Sequence, residues 1–326
     1  MKLKTLTKIL ATACVATGLF AAPALAKYPE RPITLIVPWG AGGGSDIIGR
    51  ALSKPLEKEL GKPVIVTNKP GGSGTVGSSY VAHARPDGYT IGLINNTGLI
   101  HQIHYGGLDY KRTDLEPLCL FLRVPVFLVV NSQSPIKNLD DYVKAAKEKG
   151  GKLTLGVAAV GGGTHLPIET FFAKAGIKTQ PMPFKGGGSG VITNLVGNHI
   201  DSAVLHPSEV YGQMKAGNVR VLGVLDETRL EAYPDVPTFK EQGYDVTGQV
   251  WRSFVAPKGI SKEVKDTLVN ALEKATKDPV YLETLSKLGD LPTWMGPEEF
   301  TAYLEKDDAT LLQVIKDLGM YNKNVQ

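Results

Sequence analysis

Short apolar runs rich in β-branched residues alternate with amphipathic segments along most of this chain. The runs predict buried strands, and the segments, whose apolar side chains lie three and four positions apart, predict helices. In the first half, strands are predicted at 33–38, 64–67 and 90–94, and helices at 46–60 and 75–84. Pro55 is expected to kink or shorten the first helix, because proline lacks the N–H that a helix interior needs.

The alternation resumes after a long apolar β-type stretch at 118–130, which Pro125 interrupts. Because proline is excluded from central strand positions, this stretch is not expected to be one central strand. Beyond it, strands are predicted at 153–158, 179–184, 202–205, 219–225 and 250–256, and helices at 139–149, 166–175, 189–197, 209–216, 262–278, 280–288 and 297–318.

Strands that alternate with helices form largely parallel sheets covered by helices. Because the alternation restarts after the interrupted stretch and ends in C-terminal helices, we predict an α/β protein of two lobes, each built on a mainly parallel sheet and hinged by crossover strands. Residues 27–126 and 250–326 are predicted to form lobe 1, and residues 127–249 lobe 2. Two such lobes face each other across a cleft that can close.

The first 26 residues have the organisation of a secretory signal. Lysines precede an apolar stretch, and Ala24, Leu25 and Ala26 have the small-x-small pattern of a cleavage site. We therefore expect residues 1–26 to be a signal peptide and the remainder to be exported. The apolar stretch is too short to span a membrane comfortably, and an N-terminal anchor is the alternative.

Removal of this leader changes the charge of the protein. The full chain has 36 Lys and Arg against 32 Asp and Glu, or +4; the leader holds three lysines and no acid, which leaves 33 against 32, or +1. This balance gives no sign of a nucleic-acid or anionic-membrane partner. Cys119 is the one cysteine beyond the leader, so it cannot form an internal disulfide, and its apolar neighbours predict a buried thiol.

Three glycine-rich turns, each between a predicted strand and a predicted helix, are the main candidates for chemistry. They lie at 39–46, 160–165 and 185–190. Glycine lets backbone N–H groups close around a ligand, and the N–H groups at a helix N-terminus have no partner in the helix and favour an anion. Each turn also brings a hydroxyl, from Ser45, Thr164 or Ser189. We predict that these turns bind a small anion; tight turns without a ligand are the alternative.

Sequence signatures of enzymes are weak. Residues 72–77 fit G-x-G-x-x-G, but Asn95 and Asn96 stand where a dinucleotide site needs an acid. No glycine turn continues into Gly-Lys-Ser/Thr or forms a G-x-S-x-G elbow. His101 and His104 have no third metal ligand near them in the sequence. We therefore expect no catalytic residue, no cofactor and no metal.

Several longer motifs occur in order over nearly all of the chain beyond the leader, and their combination is specific. Among them are Pro38-Trp39-Gly40-Ala41-Gly42-Gly43-Gly44-Ser45-Asp46, Asn68-Lys69-Pro70-Gly71-Gly72-Ser73-Gly74, Pro86-Asp87-Gly88-Tyr89-Thr90, Gly161-Gly162-Gly163-Thr164-His165-Leu166, Pro183-Phe184-Lys185-Gly186-Gly187-Gly188 and His206-Pro207-Ser208-Glu209. In these motifs the chain resembles the Bug family, the TctC-like solute-binding proteins of tripartite tricarboxylate transporters.

This resemblance implies a two-lobed periplasmic-binding-protein type II fold and a receptor without catalytic activity. Such a receptor captures a di- or tricarboxylate, or another small carboxylate, between its lobes and delivers it to a large and a small membrane permease subunit. The expected partners are this ligand and the permease, and the protein is expected to be a periplasmic monomer. An exported partner of a sensor kinase and an exported carboxylate-processing enzyme are the alternatives.

The resemblance also implies which residues form the pocket. The matching positions are Ala41, Gly42, Gly43, Gly44 and Ser45 in the first turn, Gly162, Gly163, Thr164 and His165 in the second, and Asn95, Thr97, His206 and Ser208 after later strands. His206 replaces a commoner Asn, and His165 has the alternative role of a helix residue bonded to its local backbone. Trp39 is expected to pack on the apolar part of the ligand.

A second carboxylate on the ligand would need a cationic partner. Arg252, Lys185 and Arg123 are the candidates, and Arg252 is preferred because its β run is expected to recross the hinge. For each of them, a solvated surface charge is the alternative. If Arg252 lies outside the cleft, a monocarboxylate, an amide or an aromatic acid is expected instead of a di- or tricarboxylate.

Overall fold

The computed structural model describes residues 28–324, so the predicted leader at 1–26 lies outside the described residues. The strands are β1 (Ile33–Val37), β2 (Val64–Asn68), β3 (Thr90–Asn95), β4 (Leu115–Pro125), β5 (Phe127–Asn131), β6 (Thr154–Val157), β7 (Gln180–Pro183), β8 (Ser202–Leu205), β9 (Val219–Val224), β10 (Gln249–Pro257) and β11 (Leu291–Met295). The predicted strands are found within a few residues of their expected positions.

The predicted helices are present as well. Together with the short α3, which was not predicted, the helices are α1 (Gly44–Leu60), α2 (Thr75–Ala82), α3 (Gln102–Tyr105), α4 (Leu139–Glu148), α5 (His165–Ala175), α6 (Gly188–Val196), α7 (Pro207–Lys215), α8 (Lys262–Ala275), α9 (Pro279–Leu288) and α10 (Pro297–Asp317). The expected shortening of α1 is wrong, because the helix continues through Pro55 to Leu60. Its apolar face, which includes the buried Ile48, Leu52 and Leu56, outweighs the loss of one backbone hydrogen bond.

The strands form two sheets, with the orders β11-β4-β10-β3-β1-β2 and β7-β6-β8-β5-β9. In the first sheet β1 is parallel to β2 and β3, whereas β10 is antiparallel to β3 and β4, and β11 is antiparallel to β4. In the second sheet β6 is parallel to β7 and β8, and β5 is antiparallel to β8 and β9. The sheets are therefore mixed instead of mainly parallel, because strands that cross between the sheets pair antiparallel with the βαβ strands.

The chain passes directly from the first sheet to the second. β4 ends at Pro125 and β5 begins at Phe127, which confirms that the stretch 118–130 is not one strand. The chain returns to the first sheet through residues 225–248, which lead into β10. Strands of the first sheet lie before Val126 and after this return, and the limits of the two lobes along the chain stay a prediction.

β11 and the turn that precedes α3 were not predicted either. β11 contains Pro292 and lies at the edge of the first sheet, where a proline is tolerated. A π-helical turn at Thr97–His101 continues into α3, and its five residues are all buried. This turn follows β3 after one residue, and Oγ1 of Thr97 accepts the N–H of Gly163 from the side of the second sheet.

The apolar interior supports both sheets. Cys119 in β4 is fully buried, as predicted, and burial raises the pKa of its thiol above the usual range. No helix between Tyr28 and Asn324 combines the length and the hydropathy that a membrane crossing requires.

Candidate functional site

Four helices begin around one small cavity between the two sheets. α1 begins at Gly44 beside the first sheet, and α5, α6 and α7 begin at His165, Gly188 and Pro207 beside the second. Residues of all four helix starts line the cavity. Because helix N-termini carry unpaired N–H groups and partial positive charge, this convergence favours an anion.

Most of the predicted residues line this cavity. They are Trp39, Gly43, Gly44, Ser45, Asn95, Thr97, Gly162, Gly163, Thr164, His206 and Arg252. Gly188, from the third predicted glycine turn, lines it too, and the lining residues that the sequence did not suggest are Ala158, Ala159, Glu209 and Val250. The cavity has a volume of about 30 Å³, which is room for roughly two water molecules.

The two sides of the cavity touch each other. The N–H of Gly44 donates to Oε1 of Glu209 at 3.1 Å, and the N–H of Gly163 donates to Oγ1 of Thr97 at 2.9 Å. Each bond joins a residue attached to the first sheet with one attached to the second. The structure is therefore a closed arrangement, and a ligand larger than a few waters needs the two sides to separate before it enters.

The backbone of Gly161 forms hydrogen bonds with residues attached to both sheets. Its carbonyl accepts from the hydroxyl of Tyr105 at 2.6 Å and from Nδ1 of His101 at 3.1 Å. Its N–H donates to Nδ1 of His165 at 2.9 Å. Burial lowers the pKa of His101 to about 3, so this imidazole is neutral at physiological pH.

Four predicted residues lie beside the cavity instead of lining it. His165 uses Nδ1 to accept from Gly161, and its Nε2 lies 3.1 Å from Oε1 of Glu169, so the alternative of a locally bonded helix residue describes it. Ala41 is exposed, and the N–H of Gly42 donates to Oδ2 of Asp46 at 2.9 Å. The remaining one, Ser208, is buried behind Gly44.

Main-chain donors at the helix starts remain unpaired at the cavity, and one of them is the N–H of Gly188, the first residue of α6. Neither the N–H of Ser45 nor that of Thr164 has an acceptor among residues 28–324. Ser45 is the second residue of α1, and Thr164 is the N-cap of α5, so both sit where a helix leaves its N–H groups without internal partners. The cavity thus presents free amides from both sides, the arrangement expected of a carboxylate clamp.

Arg252 lies in the middle of β10 and lines the cavity, whereas Lys185 and Arg123 lie outside the cavity lining. The guanidinium of Arg252 is buried, and Nη1 lies 3.8 Å from Oδ2 of Asp290, which is also buried. Burial lowers the pKa of Arg252, and burial raises the pKa of Asp290 to about 7. The preferred cation is therefore in the cleft as predicted, but it already has an anionic neighbour that the sequence did not reveal.

Glu209 is the charged lining residue that sequence reasoning missed. Its Oε2 accepts the N–H of His206 at 2.9 Å, which completes a capping box at the start of α7. The spacing of His206-Pro207-Ser208-Glu209 is readable in the sequence, but it signals a helix start and not a pocket. The imidazole of His206 lies with Nδ1 3.1 Å from the carbonyl of Pro125, and burial lowers the pKa of His206.

The chain is similar in sequence to one family of transporter receptors over most of its length. The family model described as tripartite tricarboxylate transporter family receptor matches residues 48–320. A UPF0065 protein of Bordetella pertussis is 32% identical over 295 residues, which cover 90% of this chain and 91% of that relative. Protein BugT of the same organism is 29% identical over 314 residues, which cover 94% of this chain and 95% of that relative.

Solved structures share the fold. The periplasmic binding protein BugD superposes with a TM-score of 0.86 at 29% identity, over 90% of this chain and 99% of that one. The R. palustris protein Rpa4515, solved with adipate, superposes with a TM-score of 0.86 at 25% identity, over 90% of this chain and 98% of that one. The predicted two-lobed periplasmic-binding-protein fold and the resemblance to Bug and TctC-like proteins are confirmed.

Proposed function

Because the chain belongs to the tripartite tricarboxylate transporter receptor family, we propose that it is a periplasmic receptor that captures an organic acid in the cavity between its two sheets. The observation that carries this proposal is the pair of unpaired N–H groups of Ser45 and Thr164, which come from opposite sides and line one cavity. A carboxylate has two oxygens and accepts from both.

The relatives support an acid as the ligand and export as the destination. The R. palustris relative was solved with adipate, and BugD is described as a periplasmic binding protein. We propose that residues 1–26 are a cleaved signal peptide and that the loaded receptor, a monomer without catalytic activity, delivers its acid to the two permease subunits of a tripartite transporter.

The proposed mechanism uses closure. Hydrogen bonds that involve a charged partner contribute about 1.5–3 kcal/mol each, and micromolar affinity needs about 8 kcal/mol. The amides of Ser45 and Thr164 supply part of this only when both lobes face the acid, so the acid favours a form that closes around it with a cavity larger than the 30 Å³ of the present arrangement. Binding therefore shifts the population toward closure, and the closed form is what the permease would recognise.

The first experiment screens organic acids against the mature protein by thermal shift. An acid at 100 times its dissociation constant should stabilise the fold by about 2.7 kcal/mol. If no organic acid in a broad panel raises the melting temperature or is retained in calorimetry, the proposed function fails.

The Ser45→Pro variant tests the main-chain clamp. Proline is tolerated in the first turn of a helix but has no N–H, so the variant removes one proposed contact to the acid. We expect at least a tenfold loss of affinity with little change in stability, whereas Ser45→Ala should retain the amide contribution. Glu263→Pro, at the equivalent position of α8 away from the cavity, is the matched control. Equal affinities for Ser45→Pro and wild type would contradict the clamp.

A further inference from the structure

Glu209 brings a carboxylate of the protein itself into the cavity. Its Oε1 accepts from the N–H of Gly44, and its Oε2 accepts from the N–H of His206. Gly188 packs against the carboxylate of Glu209 so closely that a Cβ added to Gly188 would overlap it. Glu209 is therefore held in place by main chain, and it cannot turn away from the cavity without breaking the cap of α7.

The carboxylate of Glu209 has acceptor capacity left. A carboxylate accepts about four hydrogen bonds, and within the described part of the chain it receives the two from Gly44 and His206. Because Glu209 lines the cavity, a donor group on a bound molecule can reach the remaining lone pairs. This end of the cavity is thus prepared to accept a hydrogen bond from a ligand.

The positive charge of Arg252 has acidic side chains near it at this end, although its Nε and Nη1 have no hydrogen-bond partner among residues 28–324. One of its neighbours is Asp290, with Nη1 and Oδ2 separated by 3.8 Å, and both side chains are sealed from solvent. The other is Glu209, whose negative charge acts against the effect of burial on the pKa of Arg252. The single negative charge of Glu209 already balances the positive charge of the guanidinium, and Asp290 is a second acidic group beside the same guanidinium. A second carboxylate on a ligand would meet like charge without a surplus cation.

From this arrangement, and resting on the proposed function, we propose that Glu209 makes the cavity select carboxylates that carry a hydrogen-bond donor, such as a primary amide, over di- and tricarboxylates. The ligand carboxylate binds the amides of Ser45 and Thr164, and its donor group binds Glu209. The half-amide of a dicarboxylic acid has this chemistry, and it differs from the diacid by one charge with almost no change in shape.

The test compares diacids with their own half-amides by titration calorimetry at neutral pH. The ligands are succinate, glutarate, adipate and terephthalate, each with its mono-amide. For the carbon skeleton that binds, we expect the half-amide to bind the wild-type protein at least ten times more tightly than the diacid. Tighter binding of the diacid overturns the inference, as does a failure of every half-amide while another organic acid is retained. If no organic acid is retained at all, the proposed function fails with it.

The Glu209→Gln variant assigns the preference to this residue. Glutamine keeps the shape and serves in capping boxes, but it loses the charge, and its amide nitrogen cannot accept the N–H of Gly44 or His206, so the ratio of the two ligand affinities is compared and not either affinity alone. We expect the preference for the half-amide over the diacid to fall at least tenfold. Glu241→Gln is the matched control, because Glu241 also accepts the N–H of the third residue before it, Thr238, at 2.8 Å and lies away from the cavity. An unchanged preference in a folded Glu209→Gln protein overturns the inference; if this variant does not fold, the wild-type comparison decides.

Discussion

The guanidinium of Arg252 and the carboxyl of Asp290 form a pair that is closed to solvent, with Nη1 and Oδ2 separated by 3.8 Å. Arg252 lies in β10, in the centre of the first sheet, and Asp290 lies between α9 and β11 at its edge. The pair therefore links the wall of the cavity to an element that the sequence pattern did not reveal. Removal of one partner leaves the other buried without its counter-charge.

We expect Arg252→Met to lower the free energy of unfolding by about 3 kcal/mol, because Asp290 loses its buried partner. Asp290→Asn should cost less, because the raised pKa of Asp290 means that its neutral form is well populated at pH 7. The double variant Arg252→Met/Asp290→Leu should recover most of the loss, since an apolar pair replaces both charges. Urea unfolding of the three variants measures these differences. Equal stability of Arg252→Met and wild type would contradict the prediction.

The same pair predicts how stability depends on pH. The pKa of Asp290 is raised from 3.8 to about 7 by burial, so the folded protein holds this proton more tightly than the unfolded chain does. The contribution to stability is fully present below pH 4 and is lost as the pH rises through 7, by up to about 4 kcal/mol. Between pH 4 and pH 8, the unfolding free energy of the wild type should therefore fall relative to that of Asp290→Asn. A difference that is independent of pH would show that Asp290 does not titrate in this way.

Gly40 predicts a variant that opens the cleft. A Cβ on Gly40 would lie 2.5 Å from Cα and 2.8 Å from the carbonyl oxygen of Gly186, and neither backbone atom can rotate away. Gly40→Ala should therefore oppose closure, weaken acid binding at least tenfold and increase the radius of gyration in X-ray scattering. Gly212→Ala is the control, because nothing beyond its chain neighbours and the backbone of its own helix lies within 4 Å of its added Cβ. If Gly40→Ala closes and binds as wild type does, the contact between Gly40 and Gly186 does not limit closure.

Tyr105 provides a second test of closure. Its hydroxyl donates to the carbonyl of Gly161 across the boundary between the sheets at 2.6 Å. Tyr105→Phe should weaken the closed form by about 1 kcal/mol, which is roughly a fivefold loss of affinity in calorimetry. Tyr110→Phe removes a similar buried bond, to the carbonyl of Gly98 at 2.8 Å, within the part of the chain attached to the first sheet. It should reduce stability without reducing affinity, and equal affinity losses would contradict the assignment.

Local signals account for what the sequence determined. A strand, a glycine turn and a helix start are encoded within about a dozen neighbouring positions, so the turns at 39–46 and 160–165 were found before their surroundings were known. The predicted lobes also follow from local alternation. Arg252 was placed in the cleft because its β run was expected to return to the first lobe, and β10 does return to the first sheet.

Contacts between residues far apart in the sequence determined the features that could not be predicted. The N–H of Gly44 meets Glu209 from 165 positions away, and no periodicity in the chain relates the two. Asp290 is the partner of Arg252 because the segment between α9 and β11 folds against β10. Both sheets are mixed because the crossover strands pair antiparallel with their neighbours. From the sequence by itself, an anion site at helix N-termini and glycine turns could be predicted, and the structure brings four of those helix starts to one cavity. The tertiary structure decided which amides stay unpaired and which charges share the cavity, because both depend on groups that folding brings together from opposite sheets.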